Sequence, residues 1–177
     1  MTKLLVVVDM QNDFIDGALG TKEAQSIVGN VVKKINSWNG NIIATLDTHY
    51  EDYLTTNEGK HLPVEHCIVG SDGHELNKDI HNALLNGSGK LMLVEKPSFG
   101  STSLPNLIDD QEVDYIEIVG LCTDICVVSN ALMLKAFHPE IKIVVDPSCC
   151  AGVTPELHRA ALDVMKSCQI DILNAED

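Results

Sequence analysis

The sequence predicts a single α/β domain, three layers deep, in which a doubly wound and mostly parallel sheet of about six strands is flanked by helices. Two observations predict it. Short apolar runs rich in Val and Ile alternate with amphipathic stretches along all 177 residues, the order expected of strand–helix–strand units. The runs are nearly continuous in apolar character, as parallel strands covered on both faces require. The length suits one core spanning residues 1–177, and no linker or repeat divides it.

The strands expected are Lys3 to Asp9, Asn41 to Asp47, Lys90 to Glu95, Asp114 to Val119, Ile141 to Asp146 and the short Gln169 to Leu173. The helices expected are Lys22 to Ser37, His74 to Asn86, Thr123 to Phe137 and Pro155 to Ser167, the last announced by Thr154 as a cap and Pro155 at the first helical position. Tyr50 to Gly73 has little periodicity, and a loop of that length in a compact domain is usually functional.

Composition narrows the function. A formal net charge of −14 repels phosphate backbones and anionic lipid, which argues against nucleic acid or a membrane as partner. No apolar run approaches the length of a membrane span. The N-terminal segment "MTKLLVVVDMQNDF" has no cleavage site after its apolar run and reads as a first strand. The six cysteines are then free thiols of a cytoplasmic protein.

Ligands of open α/β sheets bind beyond the carboxyl ends of the strands. Here those ends carry Asp9, then Asp47 and His49, then Glu95 and Lys96, then Cys122 and Cys126. Thr123 as a cap would put Cys126 in the first turn of a helix, where the positive end of the helix favours the thiolate and free amides can bind an oxyanion. Taken alone, Cys126 also fits a small core residue. Asp9 follows an apolar strand and needs a partner, while Pro97 holds Lys96 extended. A thiol, a cation and a carboxylate at neighbouring strand ends make a nucleophile, a stabiliser and a proton carrier.

In "ATLDTHYEDY", Asp47 and His49 are two apart on extended chain and leave the same face. His66, in "HLPVEHC", offers a third ligand for zinc, manganese or iron. Glu58 is a fourth candidate or a solvated loop glutamate. Cys67, Cys149, Cys150 and Cys168 read as packing, and His61, His74, His81, His138 and His158 receive no role.

Together "VVVDMQNDF", "ATLDTHYEDY", "LPVEHC", "EKPSFGST" and "VGLCTDICVVSNA" resemble the isochorismatase-like cysteine hydrolases, and within them the nicotinamidases. The resemblance implies a catalytic set of Asp9, Lys96 and Cys126, a divalent metal on Asp47, His49 and His66, and an oxyanion site from the amides of Cys122 and Cys126. It also implies a cis peptide between Leu121 and Cys122. Glu58 lies one residue further from His66 than the acidic ligand of some relatives. Phe14 and Phe99 are the aromatic residues near motif positions that would wall a substrate ring.

The activity so implied is hydrolysis of nicotinamide to nicotinic acid and ammonia through a thioester, in NAD salvage, by a homo-oligomer with a small amide as its partner. The alternatives are another ureido or carbamoyl amidase of the superfamily, or a non-catalytic binding protein on the same fold.

Overall fold

The computed structural model describes residues 2–174. Six strands form one sheet: β1 (Thr2–Val8), β2 (Asn41–Asp47), β3 (Leu91–Lys96), β4 (Val113–Leu121), β5 (Lys142–Ala151) and β6 (Asp171–Ile172). Their spatial order is β3-β2-β1-β4-β5-β6 and every pairing is parallel. The order reverses beside β1, which makes the ends of β1, β2 and β4 the switch point where such sheets hold ligands.

Side chains of a strand alternate between faces, and β1 is apolar on both. Leu5 and Val7 enter a core with Ile27, Val31 and Ile35, whereas Leu4, Val6 and Val8 enter a second core with Ala131, Leu134 and Met165. The helices are α1 (Asn12–Ile15), α2 (Lys22–Ser37), α3 (Asn57–His61), α4 (Lys78–Leu85), α5 (Val128–Phe137) and α6 (Pro155–Ser167). Thr21 caps α2 through Ala24 N–H, and Thr154 caps α6 through Leu157 N–H, each satisfying a donor at the helix start. Both helices therefore have the limits the sequence predicts.

Four of the predicted elements differ most from expectation. The fourth predicted strand runs on to Leu121, and the fifth passes Pro147 to Ala151, because a register shift between Ile118 and Gly120 lets the two strands pair again at Gly120 and Cys150. Helix α4 starts at Lys78, since Asn77 caps it through Asp79 N–H. The helix expected from Thr123 begins instead as a π turn, Thr123–Val127, and becomes α-helical at Val128.

Gly120 has φ of +124°, and a Cβ there would lie 2.1 Å from the Val8 carbonyl oxygen. Only glycine permits that approach of β4 to β1. The long segment after β2 carries α3 and is tied back by a bridge between His49 and Ile68. Among the described residues, no helix is long and apolar enough to cross a membrane.

Candidate active site

The ends of β1, β2, β3 and β4 bring Asp9, Asp47, Lys96 and Cys126 together, as the strand-end pattern predicts. Lys96 is at the centre. Its ammonium lies 2.7 Å from Asp9 Oδ2, 3.1 Å from Asp47 Oδ1, 3.0 Å from the Ser98 carbonyl and 3.5 Å from the Cys126 sulfur. Asp9 is fully buried in a left-handed backbone conformation, φ +47°, which aspartate tolerates better than most residues. Thr45 donates to its Oδ1 at 2.6 Å. Its Oδ2 is ion-paired to Lys96 and has no other hydrogen-bond partner among the described residues, which leaves an acceptor position open there.

Electrostatics here follow burial more than helix position. Burial and the Asp9 charge push the Cys126 thiol well up, against the pull of Lys96. Burial thus opposes the thiolate that the helix start is expected to favour. The field at a helix start is weaker than the cost of charging a sulfur that is almost entirely buried. Burial also raises Asp9, helped by Asp47 and opposed by Lys96. The thiol thus keeps its proton at rest, beside a carboxylate whose basicity is raised and an ammonium placed to support the sulfur once the proton moves.

The turn that carries Cys126 is built differently from the expected capped helix. Thr123 does not cap it: its hydroxyl shares a 2.7 Å hydrogen bond with His158 Nδ1 on α6. Instead, Ile125 and Val127 both donate to the Cys122 carbonyl, at 3.1 and 3.0 Å. The second bond spans five residues, the mark of a π turn, a form frequent at functional sites. The Leu121–Cys122 peptide is cis, as the family resemblance implies. Cys122 is also pushed up, to about 12, by burial and by Asp124, and its sulfur lacks the lysine contact that distinguishes Cys126.

Asp47 joins this cluster to a second one. Its Oδ1 faces Lys96, while its Oδ2 lies 3.0 Å from His49 Nε2 and 3.5 Å from His66 Nε2. Glu58 Oε1, brought in by α3, is 3.6 Å from His49 Nε2 and 3.7 Å from His66 Nε2. All four candidate ligand atoms lie within 4.8 Å of one another. Metal–ligand bonds of about 2.0–2.2 Å in a tetrahedron give ligand separations of about 3.3–3.6 Å, close to the four imidazole–carboxylate distances of 3.0, 3.5, 3.6 and 3.7 Å. His66 Nδ1 is held by the Val64 carbonyl at 2.8 Å, which turns Nε2 toward the cluster. His49 Nε2 is buried without a hydrogen-bond partner.

Charge completes the fit. Asp9, Asp47 and Glu58 face one ammonium, an imbalance that a divalent cation offsets. Burial opposes ionisation of Asp47, but the close contacts of its carboxylate with the His49 and His66 rings and the Lys96 charge outweigh it and hold its carboxyl well below the usual range. Burial and the Asp47 charge push Glu58 up, against His49. The residues present suit a divalent metal, and the helix that positions Glu58 makes up for its offset in sequence.

A cavity of about 700 Å³ opens over this cluster, with His49 and Glu58 on one side and Leu62, Pro97, Phe99 and Ile125 among its walls, a size within the range of small-molecule sites. Phe99, 43% exposed, is part of that lining. Phe14 is not: it is buried in the core and packs its ring 5.6 Å from that of His66, behind the ligand and away from the cavity wall. Cys168 is also corrected, being exposed at the end of α6, while Cys67, Cys149 and Cys150 are buried as expected.

Several residues that position the site carried no sequence signal. Gln11 brackets the Asp47 backbone, donating to its carbonyl and accepting from its N–H, both at 2.8 Å. Tyr53 packs edge-on against His49 and His66 and donates to the Leu62 carbonyl. His74, assigned no role, is buried and bonded to Thr48.

Fold and site define a class: α/β proteins that gather a thiol and a carboxylate–lysine pair beside a metal-ligand cluster at one sheet edge. The profile of the isochorismatase domain matches residues 3–177. The chain belongs to the isochorismatase family. It is 28% identical over 181 residues to the nicotinamidase of Escherichia coli, covering 85% of this chain and 84% of that one. Its structure resembles that of the Pyrococcus horikoshii pyrazinamidase in complex with zinc, with a TM-score of 0.77, 26% identity and coverage of 99% and 100%. It also resembles the N-carbamoylsarcosine amidase of Thermoplasma acidophilum, with a TM-score of 0.74, 27% identity and coverage of 97% and 95%.

Proposed function

We propose that the protein is an amidohydrolase whose substrate is nicotinamide, cleaved to nicotinic acid and ammonia through a thioester on Cys126. The observation that carries the reading is the position of Lys96, whose ammonium touches Asp9, Asp47 and the Cys126 sulfur in one buried site. Asp9 takes the thiol proton through Oδ2, and Lys96 stabilises the thiolate as the sulfur bonds to the carboxamide carbon. The amides of Cys122 and Cys126 receive the oxyanion. Asp9 returns the proton to the nitrogen, the C–N bond breaks and ammonia leaves. Water then attacks the thioester, with Asp9 as base, to release the acid and restore the thiol.

A divalent ion, with zinc the first choice, would be held by Asp47, His49, His66 and Glu58 and would supply Lewis acidity and an anchoring point for a ligand atom. In this reading Phe99 is a wall for the pyridine ring, the product enters NAD salvage, and the cytoplasm is the site of action. Oligomerisation of the chain belongs to the same reading, on the family resemblance.

A second reading, hydrolysis of a carbamoyl or ureido amide, is favoured by the likeness to the Thermoplasma acidophilum amidase. The test is ammonia release from nicotinamide and from N-carbamoylsarcosine by zinc-loaded protein, with Cys126→Ala in parallel. The expected result is release from nicotinamide by the wild type alone. Release only from the carbamoyl compound moves the assignment to the second reading, and release from neither substrate defeats both.

A further inference from the structure

Asn130 lies in the first turn of α5, four residues after Cys126, and is fully buried. Its carboxamide offers two N–H donors and a carbonyl acceptor, and all are used across two separate segments. Nδ2 donates to the Cys126 carbonyl at 2.8 Å and to the Phe99 carbonyl at 3.2 Å, while Oδ1 accepts from Ser101 N–H at 2.9 Å. The reversed amide would set oxygen against two carbonyls and nitrogen against an N–H, so these partners fix its orientation.

The segment it grips, 97–101, follows directly on Lys96. The Ser98 carbonyl accepts from the Lys96 ammonium at 3.0 Å, and Pro97, Ser98 and Phe99 line the cavity. One side chain thus ties the backbone of the nucleophile turn to the loop that carries a substrate wall. For the helix alone a hydroxyl would serve, since Ser or Thr at this place bonds the carbonyl four residues back. The reach to Phe99 and Ser101 needs the longer, three-handed carboxamide.

We infer that Asn130 is a positioning residue that sets the gap between the Cys126 turn and the Phe99 loop, and so governs how the amide is seated as well as how the thiol is aimed. The inference rests on Cys126 as the nucleophile. It predicts that the two halves of the contact separate by substitution. Asn130→Thr keeps the bond to Cys126 and frees the loop, whereas Asn130→Ala loses both.

Two measurements on each variant decide it: steady-state ammonia release from nicotinamide by zinc-loaded protein, and the rate at which iodoacetamide alkylates Cys126, followed by peptide mass spectrometry. Circular dichroism reports folding. In Asn130→Thr, KM should rise about tenfold while kcat and the alkylation rate stay within about twofold. In Asn130→Ala, KM should rise similarly and the alkylation rate should fall about tenfold, as the sulfur drifts from Lys96. A folded Asn130→Ala with both quantities unchanged overturns the inference.

If Asn130→Ala does not fold, the KM of Asn130→Thr decides alone, and an unchanged value overturns it. If the wild type does not turn over nicotinamide, the substrate reading fails separately. The alkylation rate of Asn130→Ala against wild type then decides, a fall supporting the inference and an unchanged rate overturning it.

Discussion

Replacing Lys96 by methionine removes the one ammonium between two buried carboxylates and leaves a side chain of similar length. The attraction between charges 2.7 Å apart is about 6 kcal/mol at an effective dielectric constant of about 20. Most of that offsets the cost of taking the charges out of water. What the substitution exposes is the remaining imbalance: Asp9 loses the one cation it pairs with among the described residues, while Asp47 keeps His49 and His66. Breaking a buried pair from one side costs about 3–5 kcal/mol, a large part of the roughly 5–15 kcal/mol that holds a domain folded.

Asp9→Asn strands the lysine less completely, because Asp47 and the Ser98 carbonyl still face it. The double variant removes both charges, so it should be more stable than the sum of the single losses predicts, with a coupling of about 2 kcal/mol. Urea denaturation of the wild type, both single variants and the double variant, in a chelator so that metal binding does not enter, gives the cycle. Additive losses, or a Lys96→Met protein as stable as the wild type, would refute the view that the pair is held by mutual compensation.

Gly120→Ala should destabilise the protein by more than the roughly 1–3 kcal/mol of its left-handed backbone alone, because the new methyl meets the Val8 carbonyl; a thermal melt measures it. Zinc should bind once per chain and, at a thousand times its Kd, stabilise the fold by about 4 kcal/mol. Calorimetric titration checks the stoichiometry, and His49→Ala should abolish the gain. Asp146 gives a pH test away from the site. Burial works against its ionisation, but hydrogen bonds from Ser148 and the Lys34 charge prevail and hold its carboxyl below the usual value. Its stabilisation is therefore present above the unfolded value of about 3.9 and is lost as pH falls through the lower folded value. Asp146→Asn should be less stable than the wild type at pH 7, with the gap closing in acid, as read from urea midpoints across pH.

Much of the fold was legible because its signals are local. Thr21 and Thr154 announce helix starts, and continuous Val and Ile runs announce buried parallel strands. The strand-end rule then placed Asp9, Asp47, Lys96 and Cys126 on one edge, and the structure brings them within contact. What failed depends on partners far along the chain. Thr123 looks like a cap, yet His158 claims its hydroxyl. Cys126 looks activated by a helix start, yet its burial and Asp9 decide its protonation. Phe14 sits near a motif but faces the core, since only the packing of α1 against His66 sets its direction. Glu58 seems misplaced by a residue until α3 rotates it into the cluster. Asn130 gives no signal at all, because two of its three partners, Phe99 and Ser101, lie about thirty residues back along the chain.

The uniform direction of the six strands has a practical side. Every strand starts on one rim of the sheet and finishes on the other, and all the reacting groups follow finishes. Thr2, Asn41 and Leu91 stand on the starting rim, about 20 Å away along a seven-residue strand. A tether, a fluorophore or a fused carrier attached on that rim leaves the cavity mouth open. The molecule can be immobilised by its back and still be offered substrates from the front.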